Sequence, residues 1–121
     1  MDLQFEKVVE DVRGKIFFLT YNNKKINIVE IKKGFARGGH YHTSETTHNI
    51  ITGKIEYREE NVETGKERIE IITGPSLISV PPKVAHLLIA LEDTVFVEAF
   101  DNKYAATNYD KYRKIVEEKM N

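Results

Sequence analysis

The 121-residue sequence carries 18 Lys and Arg against 19 Asp and Glu, a formal net charge of −1, and no cysteine. Its length suits one domain with its own core, and the missing thiols exclude disulfides, thiolate zinc sites and a cysteine nucleophile. The charge balance leaves no electrostatic footprint for nucleic acid or a membrane surface.

Residues 1–20 lack the basic start and apolar core of a signal peptide, and no apolar run is long enough to span a bilayer, so a soluble, cytoplasmic protein is expected. From there most of the chain alternates at the strand period. Gly14–Thr20 and Lys25–Ile31 flank the turn formers Tyr21-Asn22-Asn23-Lys24 and predict a hairpin. Thr46–Ile51 and Lys54–Glu60 flank a tight turn at Thr52-Gly53. Glu63-Thr64-Gly65-Lys66 is the next turn, followed by strands at Glu67–Ile72, Ser76–Val80, Ala85–Leu91 and Thr94–Phe100. Turn signals recurring about every 8–12 residues predict an all-β sandwich or barrel. Only the tail changes period: Tyr109, Tyr112, Val116 and Met120 fall at helical spacing, with Thr107 or Asn108 as N-cap.

The chemistry concentrates in two stretches. In Gly34-Phe35-Ala36-Arg37-Gly38-Gly39-His40-Tyr41-His42 the two histidines share one strand face, because side chains alternate with period two. Two imidazoles on one wall suit a metal, or one orients while the other moves a proton. In Gly74-Pro75-Ser76-Leu77-Ile78-Ser79-Val80-Pro81-Pro82-Lys83-Val84-Ala85-His86, a strand and a proline-stiffened turn aim His86 into the barrel from the opposite wall. His48 keeps the parity of the pair and reads either as a further ligand or as a half-buried strand residue. Arg37 reads as an anion or phosphate contact at the barrel mouth or as a structural arginine. Tyr57 and Glu98 have parities that line the interior, and Tyr57 is taken as a substrate contact.

Together these stretches resemble the paired motifs of the cupin superfamily. Gly34, His40, His42 and Gly53 match the first motif, and Gly74, Pro81 and His86 the second, with one extra residue before the proline. The resemblance covers roughly residues 25–100. It implies an all-β double-stranded β-helix, a jelly-roll barrel forming a single domain over 1–121 and closed by a short helix near 109–120. Three positions depart from the family: Thr46 stands at the motif glutamate, Lys83 at a glycine and Ala90 at an asparagine. The glutamate normally completes a three-histidine, one-carboxylate metal site. Glu45 beside it would face the other way in a regular strand, whereas His48 shares the parity of Thr46 and reads either as the replacement ligand or as an ordinary strand residue.

The wording Arg37-Gly38-Gly39-His40-Tyr41-His42 also resembles small cupin enzymes acting on nucleotide-linked deoxysugars, and the end Tyr104…Tyr109-Asp110…Tyr112-Arg113 is loosely similar to theirs. That implies a sugar isomerase or epimerase in which His40 is the base, His42 its partner and Arg37 holds the diphosphate of a nucleotide sugar. The alternative is a metal-binding cupin of oxidative or sensory function, with His40, His42, His86 and His48 around a divalent Zn, Ni, Mn, Fe or Cu ion. A third is a ligand-binding module without catalysis. A homodimer is expected, joined through the strands before Lys32, because an open double sheet leaves edges to cover.

Overall fold

The computed structural model describes residues 2–100 and 105–121. Eleven strands and one helix follow in chain order: β1 (Leu3–Asp11), β2 (Gly14–Tyr21), β3 (Lys24–Ile31), β4 (Ala36–His42), β5 (Thr46–Thr52), β6 (Lys54–Asn61), β7 (Glu67–Thr73), β8 (Ser76–Val80), β9 (Val84–Ala90), β10 (Thr94–Phe100), β11 (Ala106–Asn108) and α1 (Asp110–Met120). They form a six-stranded sheet, β1-β2-β3-β10-β5-β8, facing a five-stranded sheet, β11-β4-β9-β6-β7. Among the described residues the strand pairings are antiparallel. The β2–β3 hairpin turns on Asn22 and Asn23, both with positive φ (48° and 65°), a conformation that asparagine tolerates and that matches the twist of the flanking strands.

The inward residues of both sheets make one apolar cluster, including Val29, Ile31, Ile50, Ile55, Tyr57, Ile78, Val80, Leu88 and Phe96. A fully buried aliphatic side chain of this kind stabilises by about 1.5–3 kcal/mol. A second cluster lies outside the five-stranded sheet, where Ala36, Ala85, Leu87 and Ile89 meet Tyr112 and Val116 of α1. Strand β9 is therefore buried on both faces along its whole length, which explains its near-continuous apolar run.

Several boundaries differ from expectation. Strand β1 was not anticipated, and its alternation is broken by an irregularity between Phe5 and Lys7. Thr107 and Asn108 do not cap α1: they form β11, paired with Tyr41 and His40. The cap position falls to Tyr109, extended (φ −112°, ψ 102°) and without a side-chain cap bond. Tyr104 of the expected tyrosine-rich end lies outside the described residues. Among the described residues no helix is long and apolar enough to cross a membrane.

Candidate functional site

Strand β4 carries His40 and His42, and β9 lies beside it in the same sheet, so His40 and His86 are direct cross-strand partners. His86 thus comes from the neighbouring strand and not from the opposite wall. Alternation fixes the face a residue shares, not which strand becomes its neighbour. The opposite wall supplies His48 on β5. Ring centroids stand 5.0 Å apart for His40–His42, 4.9 Å for His40–His86, 5.5 Å for His42–His86 and 4.9 Å for His48–His86. All four histidines converge.

Local backbone makes this approach feasible. Gly38 and Gly39 hold positive φ (106° and 84°) where β4 shifts register against β9. A Cβ on Gly38 would lie 2.7 Å from the His86 carbonyl oxygen, and one on Gly39 2.7 Å from Arg113 Cδ. The paired glycines let β9 press on one side and α1 on the other.

Ligand atoms of His40, His42 and His86 lie within 4.8 Å of one another. A cation with metal–nitrogen bonds of about 2.0–2.1 Å needs its ligand nitrogens no more than about 4.2 Å apart, so small rotamer adjustments close the triad. The donor set fits. Burial, reinforced by the neighbouring His42, pushes His40 down to about 4. Burial likewise lowers His42, and it holds His86 well below the usual imidazole value. All three are neutral at pH 7, the form that binds metal. His42 Nδ1 lies 3.2 Å from the Ala105 carbonyl oxygen, and the tautomer that donates there carries its lone pair on Nε2. The Nδ1 atoms of His48 and His86 are buried without a hydrogen-bond partner. An imidazole nitrogen left unsatisfied in this way is costly, and of the two only His86 belongs to the triad where a cation would offer a partner.

His48 stands beside this triad without joining it, because its Nε2 faces Glu98 Oε2 at 3.4 Å. Glu98 sits on β10 directly between Asn27 of β3 and His48 of β5. Burial opposes ionisation of Glu98, but hydrogen bonds from His48 and Asn27 with the nearby imidazole charge hold its carboxyl below the ordinary value. Thr46, at the motif glutamate position, is buried with an unpartnered hydroxyl.

A cavity of about 170 Å³ opens at the cluster, lined by His40, His48, His86 and Glu98 together with Arg13, Arg37 and Arg113. Arg37 is 7% exposed; its Nε donates to the Glu30 carbonyl at 2.8 Å and its Nη2 to that of Gly14 at 3.2 Å. Burial lowers it to about 10, still charged at neutral pH. Tyr57 does face inward, but it packs in the apolar core, donates its hydroxyl to Glu59 at 2.9 Å and is absent from the cavity lining. The Tyr57 hydroxyl is thus engaged within its own strand. Sequence reasoning noted Glu98 only by parity and missed its pairing with His48. Arg13 and Arg113 reach the cavity from a turn and from α1, which strand alternation cannot reveal.

No family model and no curated protein matches the chain. Solved structures do. The capsular polysaccharide assembling protein CapF from Staphylococcus aureus superposes with a TM-score of 0.74 at 16% identity, over 85% of this chain and 31% of that one. The S161A mutant of Bacillus subtilis oxalate decarboxylase gives 0.73 at 21% identity, over 88% and 31%. The formate complex of Lactobacillus farciminis oxalate decarboxylase gives 0.73 at 22%, over 88% and 34%. The chain has the cupin fold. The chain spans about a third of the length of the chains it matches. Mn(II) centres are described for the Bacillus subtilis oxalate decarboxylase, and the His40–His42–His86 cluster of this chain has the geometry to hold a metal ion.

Proposed function

We propose that this chain is a metal-binding cupin in which His40, His42 and His86 hold a divalent ion and the adjoining cavity takes a small anionic substrate. The convergence of three neutral imidazoles within 4.8 Å carries the reading. Zn, Ni, Mn, Fe and Cu all accept such a set. When bound, the ion supplies a Lewis acid that polarises a carbonyl or carboxylate. The chain's own residues do the rest. Arg37 and Arg113 attract and orient the anion, and His48 with Glu98 holds a proton at the cavity wall. At about 170 Å³ the cavity falls below the ~300 Å³ of ordinary ligand pockets and encloses a small acid or one sugar ring. Elemental analysis after reconstitution tests this: about one ion per chain is expected, and a protein that retains none after dialysis overturns it.

A second reading, sugar ketoisomerase or epimerase, is favoured by the His48–Glu98 pair and by the likeness to CapF. A general base works best with a pKa near the working pH. His40, at about 4, is too weak for that at neutral pH, so in this reading the proton transfer falls to His48 on the geometric ground that its Nε2 faces Glu98 Oε2 at 3.4 Å. Incubation with nucleotide-linked keto-deoxysugars in D2O should place deuterium next to the ketone. Absence of exchange across such a panel removes this reading.

A further inference from the structure

The cavity at the histidine cluster carries charge of both signs, and the two signs come from different sides. Arg37 on β4 and Arg113 on α1 bring guanidinium groups from the side of the five-stranded sheet, and Glu98 on β10 brings a carboxylate from the six-stranded one. Arg13 also reaches the wall, but its Nε and Nη2 donate to the Asp11 carboxylate at 3.1 and 2.7 Å, so its charge is already matched. Arg37 donates through Nε and Nη2 to backbone carbonyls and meets Asp11 Oδ1 at 4.0 Å, beyond hydrogen-bond range. A guanidinium carries more donors than those two bonds use. Arg113 is likewise fixed to a strand carbonyl, that of Gly38. Both forks are therefore preorganised for an acceptor in the cavity.

Glu98 does not belong in such a wall if the guest is a plain anion, because like charges repel at this range. Yet the fold takes care to keep it. His48 Nε2 faces its Oε2 at 3.4 Å from β5, and Asn27 donates to it from β3. Burial opposes its ionisation, and these two donors hold the carboxyl below its ordinary value all the same. An ionised carboxylate accepts about four hydrogen bonds, so two protein donors leave capacity for one more. We infer that the cavity takes a short hydroxycarboxylate, its carboxylate on Arg37 and Arg113 and its hydroxyl donating to Glu98, a narrowing of the anion-binding reading above, on which it rests. A bare carboxylate would satisfy the guanidinium side and be repelled by Glu98; the added hydroxyl satisfies both. An ammonium group would also suit Glu98, but it brings a further positive charge to a space already faced by Arg37 and Arg113. A hydroxyl donates without that penalty. Ile16, Val29, Leu88 and Phe96 complete the lining with apolar surface for a short carbon chain.

Isothermal titration calorimetry of the full chain at neutral pH tests this with two matched pairs, glycolate against acetate and lactate against propionate. Each pair differs by the hydroxyl alone. The hydroxy acids should bind roughly tenfold tighter or better, as one hydrogen bond to a charged acceptor implies. Glu98→Gln keeps the shape of the side chain and removes its charge. It should erase most of that margin while acetate and propionate bind at least as tightly as before, opposite shifts that a packing defect would not produce. Glu98→Asp keeps the charge but draws the acceptor back by one carbon; it should lose the margin without any gain for the plain acids, and it serves where circular dichroism shows the Gln variant to be misfolded. Equal affinity within each pair overturns the inference and leaves the anion-binding reading standing, as does tighter binding of glycine and alanine than of glycolate and lactate. A hydroxyl margin that persists in folded Glu98→Gln also overturns it and points to chelation by a bound ion. Failure of all four acids to bind overturns both.

Discussion

His40, His42 and His86 act as a set, and His48 differs from them by its carboxylate neighbour. Replacing His42 or His86 by Ala should therefore abolish metal retention, read by elemental analysis, whereas His48→Ala should keep the ion. Loss of metal in His48→Ala would make it a ligand after all. Protonation is equally specific. His40 sits at about 4 in the folded chain against 6.5 for a free imidazole, and His42 and His86 are lowered too. Between those limits the unfolded chain binds more protons than the folded one, so stability rises with pH there. Contributions from the three histidines should be whole above about pH 6.5 and fade towards pH 4, as denaturant titrations across that range would show. In a triple His→Gln variant this slope should flatten. The triad itself was legible: alternation joined His40 to His42, and the spacing of two motifs added His86. The strand order that seats His86 beside His40 was not, because pairing between β4 and β9 is a matter of topology that no local pattern records.

Helix α1 is fastened to the histidine strand. Arg113 Nη1 donates to the Gly38 carbonyl at 2.9 Å, and the Tyr109 amide donates to that of Gly39 at 2.8 Å. Gly39→Ala would combine a positive φ with a Cβ 3.1 Å from the Arg113 backbone nitrogen, costing about 1–3 kcal/mol. Chemical denaturation should show that loss. A second fastening joins two facing carboxylates. Glu60 and Glu67 are cross-strand partners, a repulsive pair. Lys111 bridges them at 2.6 and 3.6 Å, Tyr109 donates to Glu60, and Tyr112 donates to Glu67 at 2.8 Å. Lys111→Ala should remove the cation between the two carboxylates and leave only the tyrosine donors, lowering Tm and raising amide exchange in α1 before the barrel. The helix and its bounds were legible from its 3.6-residue period, but its capping residue was not. Thr107 and Asn108 have capping side chains, yet pairing with β4 outweighs that local preference.

At the scale of the molecule, sheet neighbours come from distant parts of the chain: β3 with β10, β4 with β9, β5 with β8. Loop closure must precede such contacts, so refolding should take milliseconds to seconds, with microsecond relaxation in stopped-flow or temperature-jump experiments arguing against this topology. The jelly-roll architecture was legible from turn spacing and two motifs, while β1 was obscured by its irregularity at Phe5/Lys7. The distribution of the histidines over the two sheets has a mechanical meaning. His40, His42 and His86 all belong to the five-stranded sheet, whereas His48 and Glu98 stand on the six-stranded one. Splaying the two layers apart, like a hinged shell, would widen the cavity and draw the His48–Glu98 pair away from the triad. The distances within the triad would hardly change. In the proposed metal-binding reading, entry and exit of a guest would thus be decoupled from custody of the ion, an arrangement that a fourth ligand stitched across both layers would forbid.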